Sequence, residues 1–305
     1  MIDQAAAAAA AGAIAAAALG ADPGPLRPVG SRSHQVFVGA AVVVKLIEAA
    51  DHSRLDREVA LAVDLPVGLT APVLASGRHQ TGAGEVRYVC LARLPGAAPG
   101  MGLPGVGRTT AVRWARQAVR QLRRLHAWTP GAAAAETLRE QLDHGGFAGR
   151  SQLLATIDRV RDLDGGVPRQ LLDRLAEIAD GAPERVSVDV PVHADCHWDN
   201  WLVHDQDVTA LLDFEWARFG EPADDWMFVA RFSGPYLQDV LGVIAEETAT
   251  PLDELRAACE IREISHLAAD LGIALRSSYG RPAAVILGEL AELVSDRSWW
   301  YPAPG

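Results

Sequence analysis

The spacing of apolar and polar positions changes character along the chain. Residues 3–19 are an almost unbroken run of alanine, the strongest helix former, and predict a helix stopped by Gly20. The turn-rich stretch ADPGPLRPVG follows. Gln35–Val38 and Ala41–Ile47 are then rich in β-branched residues and meet at Gly39 and Ala40, the pattern of a hairpin. Within its second strand Val43, Lys45 and Ile47 share a face by the two-residue period. That lysine therefore points inward among valines, where it needs an anion. Ser53 is placed to cap a helix beginning SRLDREVAL. Residues 66–75 and 86–94 predict two more strands, completing a small sheet of about five, until Pro95-Gly96 ends the pattern.

From residue 108 the period becomes helical. Between Thr109 and Trp128 the apolar positions 112, 115, 118, 119, 122 and 125 form one stripe, with most arginines away from it. Shorter helices are expected over 134–143, 151–163 and 168–180, and roughly four more run from 226 to Ser298. The sequence ends in Trp299-Trp300-Tyr301, expected as a docked aromatic tail. This is an α+β chain with its β-rich part first. The boundary is expected after residue 94, giving a small β-rich lobe over 1–94 and a larger helical lobe over 95–305.

One stretch of the helical part breaks the helical period. Residues 192–226 place Asp195, Asn200 and Asp213 in short order, and Leu211-Leu212 before Asp213 mark a buried strand. An Asp, an Asn five residues on, and an Asp-Phe at a strand end is the set that phosphoryl transfer needs. One carboxylate orients or deprotonates the acceptor hydroxyl. The amide oxygen and second carboxylate hold magnesium on the ATP phosphates.

Composition sharpens that reading. Lys45 is the only lysine among 28 basic residues, and Asn200 is the only asparagine. In a chain so biased toward Ala, Gly and Arg, the survivors mark positions where replacement is chemically expensive. The net charge of −11 argues against nucleic acid as a partner, since phosphate backbones demand basic patches. Cys90, Cys196 and Cys259 are too few and too far apart for a disulfide or zinc framework, which favours a reduced cytoplasm. The alanine-rich start lacks the basic residues of a targeting segment, and no run is apolar enough to span a membrane.

Other candidates surround the nucleotide reading. Ser31 and Ser33 lie in a polar turn able to fold over phosphates, although an ordinary hairpin turn fits equally. Glu58, thirteen residues after Lys45, is either the lysine's partner or a solvated helix carboxylate. Leu91 and Arg93 begin a 91–96 hinge whose backbone groups are expected to be free for an adenine edge. His126 closes its helix as a packed or capping residue.

The string His193-Ala194-Asp195-Cys196-His197-Trp198-Asp199-Asn200 resembles the catalytic loop of the aminoglycoside phosphotransferases and their choline kinase-like relatives. Asp213-Phe214-Glu215 is similar to their magnesium-binding segment, and Gly220 to Trp226 to the segment that follows it. The resemblance covers roughly residues 28–232 and implies a protein-kinase-like two-lobed fold. It also implies ATP and Mg²⁺ as cofactors, Asp195 as catalytic base, and Asn200 and Asp213 as metal ligands. Lys45 would contact phosphates with Glu58 as its partner. His193, His197 and Asp225 would support the loop. Ala194, Cys196, Trp198 and Asp199 depart from the family pattern; Cys196 beside the catalytic Asp is expected to react with thiol reagents.

The implied partner is a small-molecule hydroxyl acceptor. Residues 233–305 carry eleven Asp and Glu against five Arg, a net charge of −6, so an acidic wall suited to a cationic antibiotic is expected. A primary-metabolite kinase and a non-catalytic nucleotide-binding protein on the same fold are the alternatives.

Overall fold

The computed structural model describes residues 3–31, 33–50, 53–142, 146–163, 166–276, 281–297 and 300–301. The chain divides into two compact units. The first comprises residues 1–98, 128–138 and 200–217, and the second residues 99–127, 139–199 and 218–305.

The first unit opens with helix α1 (Gln4–Leu19), capped by the Asp3 carboxylate accepting from the Ala6 N–H at 2.8 Å and ended by Gly20 at φ 66°. Its alanines let the helix lie close on the sheet. Ala7, Ala10, Ala11, Ile14 and Ala15 are buried against Phe37, Val42, Val44, Leu46, Val86 and Cys90. The sheet holds β1 (Arg27–Val29), β2 (Gln35–Val38), β3 (Val42–Glu48), β4 (Val73–Thr81) and β5 (Gly84–Ala92), in the order β1-β2-β3-β5-β4. Each neighbouring pair is antiparallel. Helix α2 (Arg54–Ala62) shares the sheet's other face, where Leu55 and Val59 join Ile47, Val89 and Leu91.

One strand differs from expectation. Residues 66–72 form a turn, not a strand: Gly68 has φ 76° and the Leu69 N–H bonds Pro66 O. The apolar character there reflects loop burial, with Leu69 and Ala71 inside. The strand instead runs on to Thr81, through SGRHQT, whose polar side chains suit a sheet edge.

A second small sheet, β7 (Trp201–His204) with β8 (Asp207–Leu211), belongs to this unit. Ala97 and Val203 exchange two backbone hydrogen bonds at 3.0 Å. The bridge requires Gly96, which sits at φ 116°, and a Cβ there would meet Val203 O at 2.5 Å.

The second unit is mainly helical: α3 (Arg108–His126), α4 (Ala132–Arg139, which belongs mostly to the first unit), α5 (Arg150–Arg161), α6 (Arg169–Asp180), α7 (Ala223–Arg231), α8 (Leu237–Thr248), α9 (Leu252–Arg276) and α10 (Ala283–Asp296). The α3 stripe buries Ala111, Ala115, Ala118, Val119, Leu122 and Leu125, one residue's shift from the expected set at its start. Helices α5, α6, α9 and α10 enclose one core around Leu153, Ile157, Leu175, Ile264, Leu271 and Leu290. Strands β6 (Val190–Val192) and β9 (Arg218–Gly220) pair antiparallel beside the loop carrying Asp195. Trp300 is buried and donates its indole N–H to Glu263 at 2.7 Å; its neighbour Trp299 lies outside the described residues.

Candidate active site

In the first unit the lysine finds two anions. Lys45 Nζ lies 2.9 and 2.8 Å from the Glu58 carboxylate oxygens and 3.0 Å from Asp213 Oδ1. The sheet presents the lysine, α2 returns Glu58, and the end of β8 delivers Asp213 at φ 68°, ψ 62°. That left-handed conformation is uncommon for a non-glycine residue and tolerated best by Asp and Asn. Burial alone would lower the lysine's pKa, but the Asp213 and Glu58 charges overcome it and hold the ammonium above its ordinary range. For Glu58 burial prevails over Lys45 and raises the carboxyl.

Asn200 is buried at the foot of β7, and its carbonyl accepts the Leu212 N–H at 2.7 Å, one residue before Asp213. Both side chains offer hard oxygen donors, and two protein ligands completed by phosphate oxygens suit Mg²⁺. Among the described residues no group of three or more His, Cys, Asp or Glu is clustered to hold a metal unaided. The donor set fits a metal bound together with a nucleotide.

A second layer joins the serine turn expected from the sequence to Glu215 and Arg54, a link the sequence did not show. Ser33 Oγ donates to Glu215 Oε1 at 3.3 Å and lies 2.8 Å from His34 Nδ1, while Arg54 approaches Glu215 at 3.5 Å and stacks over Trp216. The hydroxyl of Ser31 accepts the His34 N–H at 3.4 Å. Glu215 thus ties the turn carrying both serines to the segment after Asp213. Burial, then the Asp213 charge, pushes its carboxyl up to about 7 against the pull of Arg54. Leu91 is inside β5, paired with Val43 and Val73. The Arg93 N–H donates to Ala41 O at 2.8 Å, and its guanidinium to Gly39 O. The expectation of a free amide therefore fails at Arg93, because the chain continues to pair one residue past β5.

In the second unit the loop carrying Asp195 is built around a buried carboxylate. Asp225, wholly enclosed at the start of α7, accepts the Ala194 N–H at 2.7 Å and the His193 N–H at 3.1 Å, and lies 2.8 Å from His126 Nε2. Burial would raise this carboxyl; the hydrogen bond and charge of His126, helped by His193 and the Ala194 amide, hold it below the usual range instead. His126 also meets Trp226 edge to face at 4.9 Å. It is a structural post for the loop, and the only sequence hint was its place at a helix end. His193 is fully buried and its Nδ1 accepts the Asp195 N–H at 3.2 Å. Ala194 adopts φ 63°, the conformation that glycine would take most easily.

Asp195 itself is part-exposed, with His197 Nε2 3.5 Å from Oδ1. Trp198 is buried and donates to Ser233 Oγ at 2.9 Å, and the exposed Asp199 accepts the Met101 N–H. The expected reactivity of Cys196 is corrected: its thiol is fully buried, donates to Asp225 O at 3.3 Å, and is pushed well up by burial and the Asp225 and Asp195 charges.

Known proteins give the same reading at family level. A family model described as a phosphotransferase enzyme family matches residues 25–258. No curated protein matches in sequence. Solved structures do match in fold. A GDP and kanamycin complex of APH(2'')-IIia has TM-score 0.70 at 15% identity, covering 93% of this chain and 96% of that one. A macrolide 2'-phosphotransferase type I has TM-score 0.64 at 20% identity, with 95% and 98% covered. A thermostable mutant of aminoglycoside phosphotransferase APH(4)-Ia, with AMP-PNP and hygromycin B, has TM-score 0.63 at 19% identity, with 96% and 99% covered. The two-lobed, kinase-like fold expected from the sequence is the fold of these proteins.

Proposed function

The chain belongs to the phosphotransferase enzyme family, and from that premise we propose that it transfers the γ-phosphoryl group of Mg-ATP to a hydroxyl of a small molecule of antibiotic type. The observation that carries this reading is the Lys45–Glu58–Asp213 cluster, formed by the sole lysine and a strained Asp. A buried cation bracketed by two carboxylates is a site prepared for phosphate oxygens, because a structural pair needs only one partner.

Lys45, steadied by Glu58, would contact the α- and β-phosphates. Asn200 and Asp213 would hold magnesium, which supplies charge neutralisation on the phosphates. Ser31 and Ser33 would lie near the phosphates in the turn tied to Glu215. The adenine edge would be read from the 91–96 segment, through groups other than the Arg93 amide. Asp195 would accept the proton of the attacking hydroxyl as the new O–P bond forms and the bond to the β,γ-bridging oxygen breaks, releasing ADP. His193, His197 and Asp225 position Asp195 and touch no reacting atom. That the solved relatives bear kanamycin, hygromycin B or the name of a macrolide enzyme supports an antibiotic-type acceptor.

The test is ADP release with Mg-ATP across aminoglycosides, macrolides, peptide and nucleoside antibiotics and simple alcohols, with Asp195→Asn as control. Turnover on an acceptor should fall by about 10²–10⁴-fold in the variant, with Mg-ATP affinity retained. Equal turnover in both would remove Asp195 from the chemistry.

A further inference from the structure

The second unit contains a cavity of about 410 Å³, a volume suited to a small-molecule ligand. Ala194, the residue before Asp195, is part of its wall, so the cavity reaches the catalytic loop. Its charges run opposite to the chain's net charge. Among the described residues the wall holds four guanidinium groups, from Arg159, Arg218, Arg262 and Arg276, and one carboxylate, Asp224.

The inner pair is fixed. Arg218 bonds Asp224 at 3.2 Å, and Arg262, 4% exposed, pairs with Glu221 and lies over the Phe147 ring. Burial lowers Arg262 only to about 10, so it stays charged at neutral pH, while burial, helped by the Asp225 charge, pushes Asp224 up to about 6 against the pull of Arg218. The outer pair is exposed. Arg159 donates to Thr156 Oγ1 at 2.9 Å, and among the described residues neither Arg159 nor Arg276 has a carboxylate partner. His266, also in the wall, adds no compensating charge: burial, then Arg218, hold it neutral with a pKa of about 4.

The acidic wall expected of residues 233–305 is spent elsewhere. Asp239 pairs with Arg108, Glu246 and Glu247 with Arg116, Glu260 with Arg297, and Glu263 with Arg231. What this region gives the cavity, between residues 262 and 276, includes two arginines and no carboxylate.

We infer that the cavity takes an oxyanion, a carboxylate or phosphate, carried by the hydroxylated acceptor. Arg159 and Arg276 grip it at the rim and Arg218 and Arg262 set the field behind them. This deepens the proposed phosphotransfer and rests on it for the role of the ligand as acceptor. Among the described residues a polycation would meet two guanidinium groups and no carboxylate at the rim, so an aminoglycoside should bind this cavity less tightly than an anionic antibiotic-type acceptor.

The experiment is calorimetric titration of the full chain, saturated with Mg-ADP, with inorganic phosphate, malonate and kanamycin in turn, beside the double variant Arg159→Gln/Arg276→Gln. Phosphate or malonate should bind the parent chain and bind the variant at least tenfold more weakly, with Tm and Mg-ADP affinity unchanged. Whichever anion binds more tightly identifies the phosphate or carboxylate class. Anion binding that is absent, or equal in the two proteins, overturns the inference. So does kanamycin binding that matches or exceeds that of both anions. Titrating Mg-ADP into the nucleotide-free protein beforehand separates the two readings: failure of Mg-ADP to bind would strike the phosphotransfer premise, while absence of anion binding with Mg-ADP bound strikes only the cavity.

Discussion

Removing Lys45 would leave the buried Glu58 and the nearby Asp213 without the charge that reconciles them. Replacing one member of a buried pair typically costs about 3–5 kcal/mol. Lys45→Met should lose stability of that order in urea unfolding and raise the KM for Mg-ATP. Stability within about 1 kcal/mol of the parent, on the scale of an exposed pair, would show that the cluster is not held by this ion pair. His126 offers a contrasting test, since it lies behind the loop. His126→Ala removes a partner of Asp225, whose other oxygen contacts fix the Asp195 loop. We expect kcat to fall at least tenfold while the KM for Mg-ATP stays constant, and His126→Gln to recover part of the loss. A KM effect with unchanged kcat would contradict a positioning role. His126 was visible in sequence only as a helix-end histidine, because nothing local says that a residue ninety-nine positions away will face it.

At the scale of elements, two glycines report opposite demands. Gly12 sits inside α1 with nothing within 4 Å of an added Cβ, so it costs helix entropy without serving a contact. Gly12→Ala should raise stability by about 0.5–1 kcal/mol, read as an upward shift of the urea midpoint; no shift would mean that α1 unfolds apart from the rest of its unit. Gly96 is the reverse. Gly96→Ala forces a Cβ to within 2.5 Å of Val203 O at φ 116°, and should destabilise the 97–203 bridge by more than 1 kcal/mol. The alanine run and the α3 stripe were plain in sequence because period and propensity agree. The 66–72 turn was misread as a strand because a buried loop and a strand share apolar residues, and the edge strand to Thr81 was hidden by its polar side chains.

For the whole molecule, pH dependence follows from several buried groups. Glu215 is raised to about 7, and Asp224 and Glu263 to about 6, chiefly by burial. Each binds its proton more tightly folded than unfolded, so its contribution is fully present below the unfolded carboxyl pKa and is lost as pH rises through 6 to 7. His266, lowered to about 4, and Asp225, lowered by its partners, act oppositely and lose stability as pH falls. Tm should therefore be highest on the acid side of neutrality, decline as pH rises from about 5 to 7, and fall below about 4 as Asp225 is protonated. Glu215→Gln should flatten the decline between about pH 5 and 7. An unaltered slope in that variant would mean that Glu215 does not titrate there.

The sequence by itself determined which groups the chemistry has to use. A lone lysine, a lone asparagine and two spaced aspartates carry that information in residue type and short spacing, which composition and the strand period expose directly. Alternation and helical stripes likewise determined the order of elements, since those are properties of neighbours along the chain. Tertiary structure decided what distance along the chain conceals. It placed residues 200–217 with the first unit, set Glu215 on Ser33 and Arg54, and stationed His126 behind Asp225. It also decided the sign of the cavity. Net charge sums all side chains equally, whereas pairing with arginine takes up most of the carboxylates of 233–305, and arginines face the space that remains.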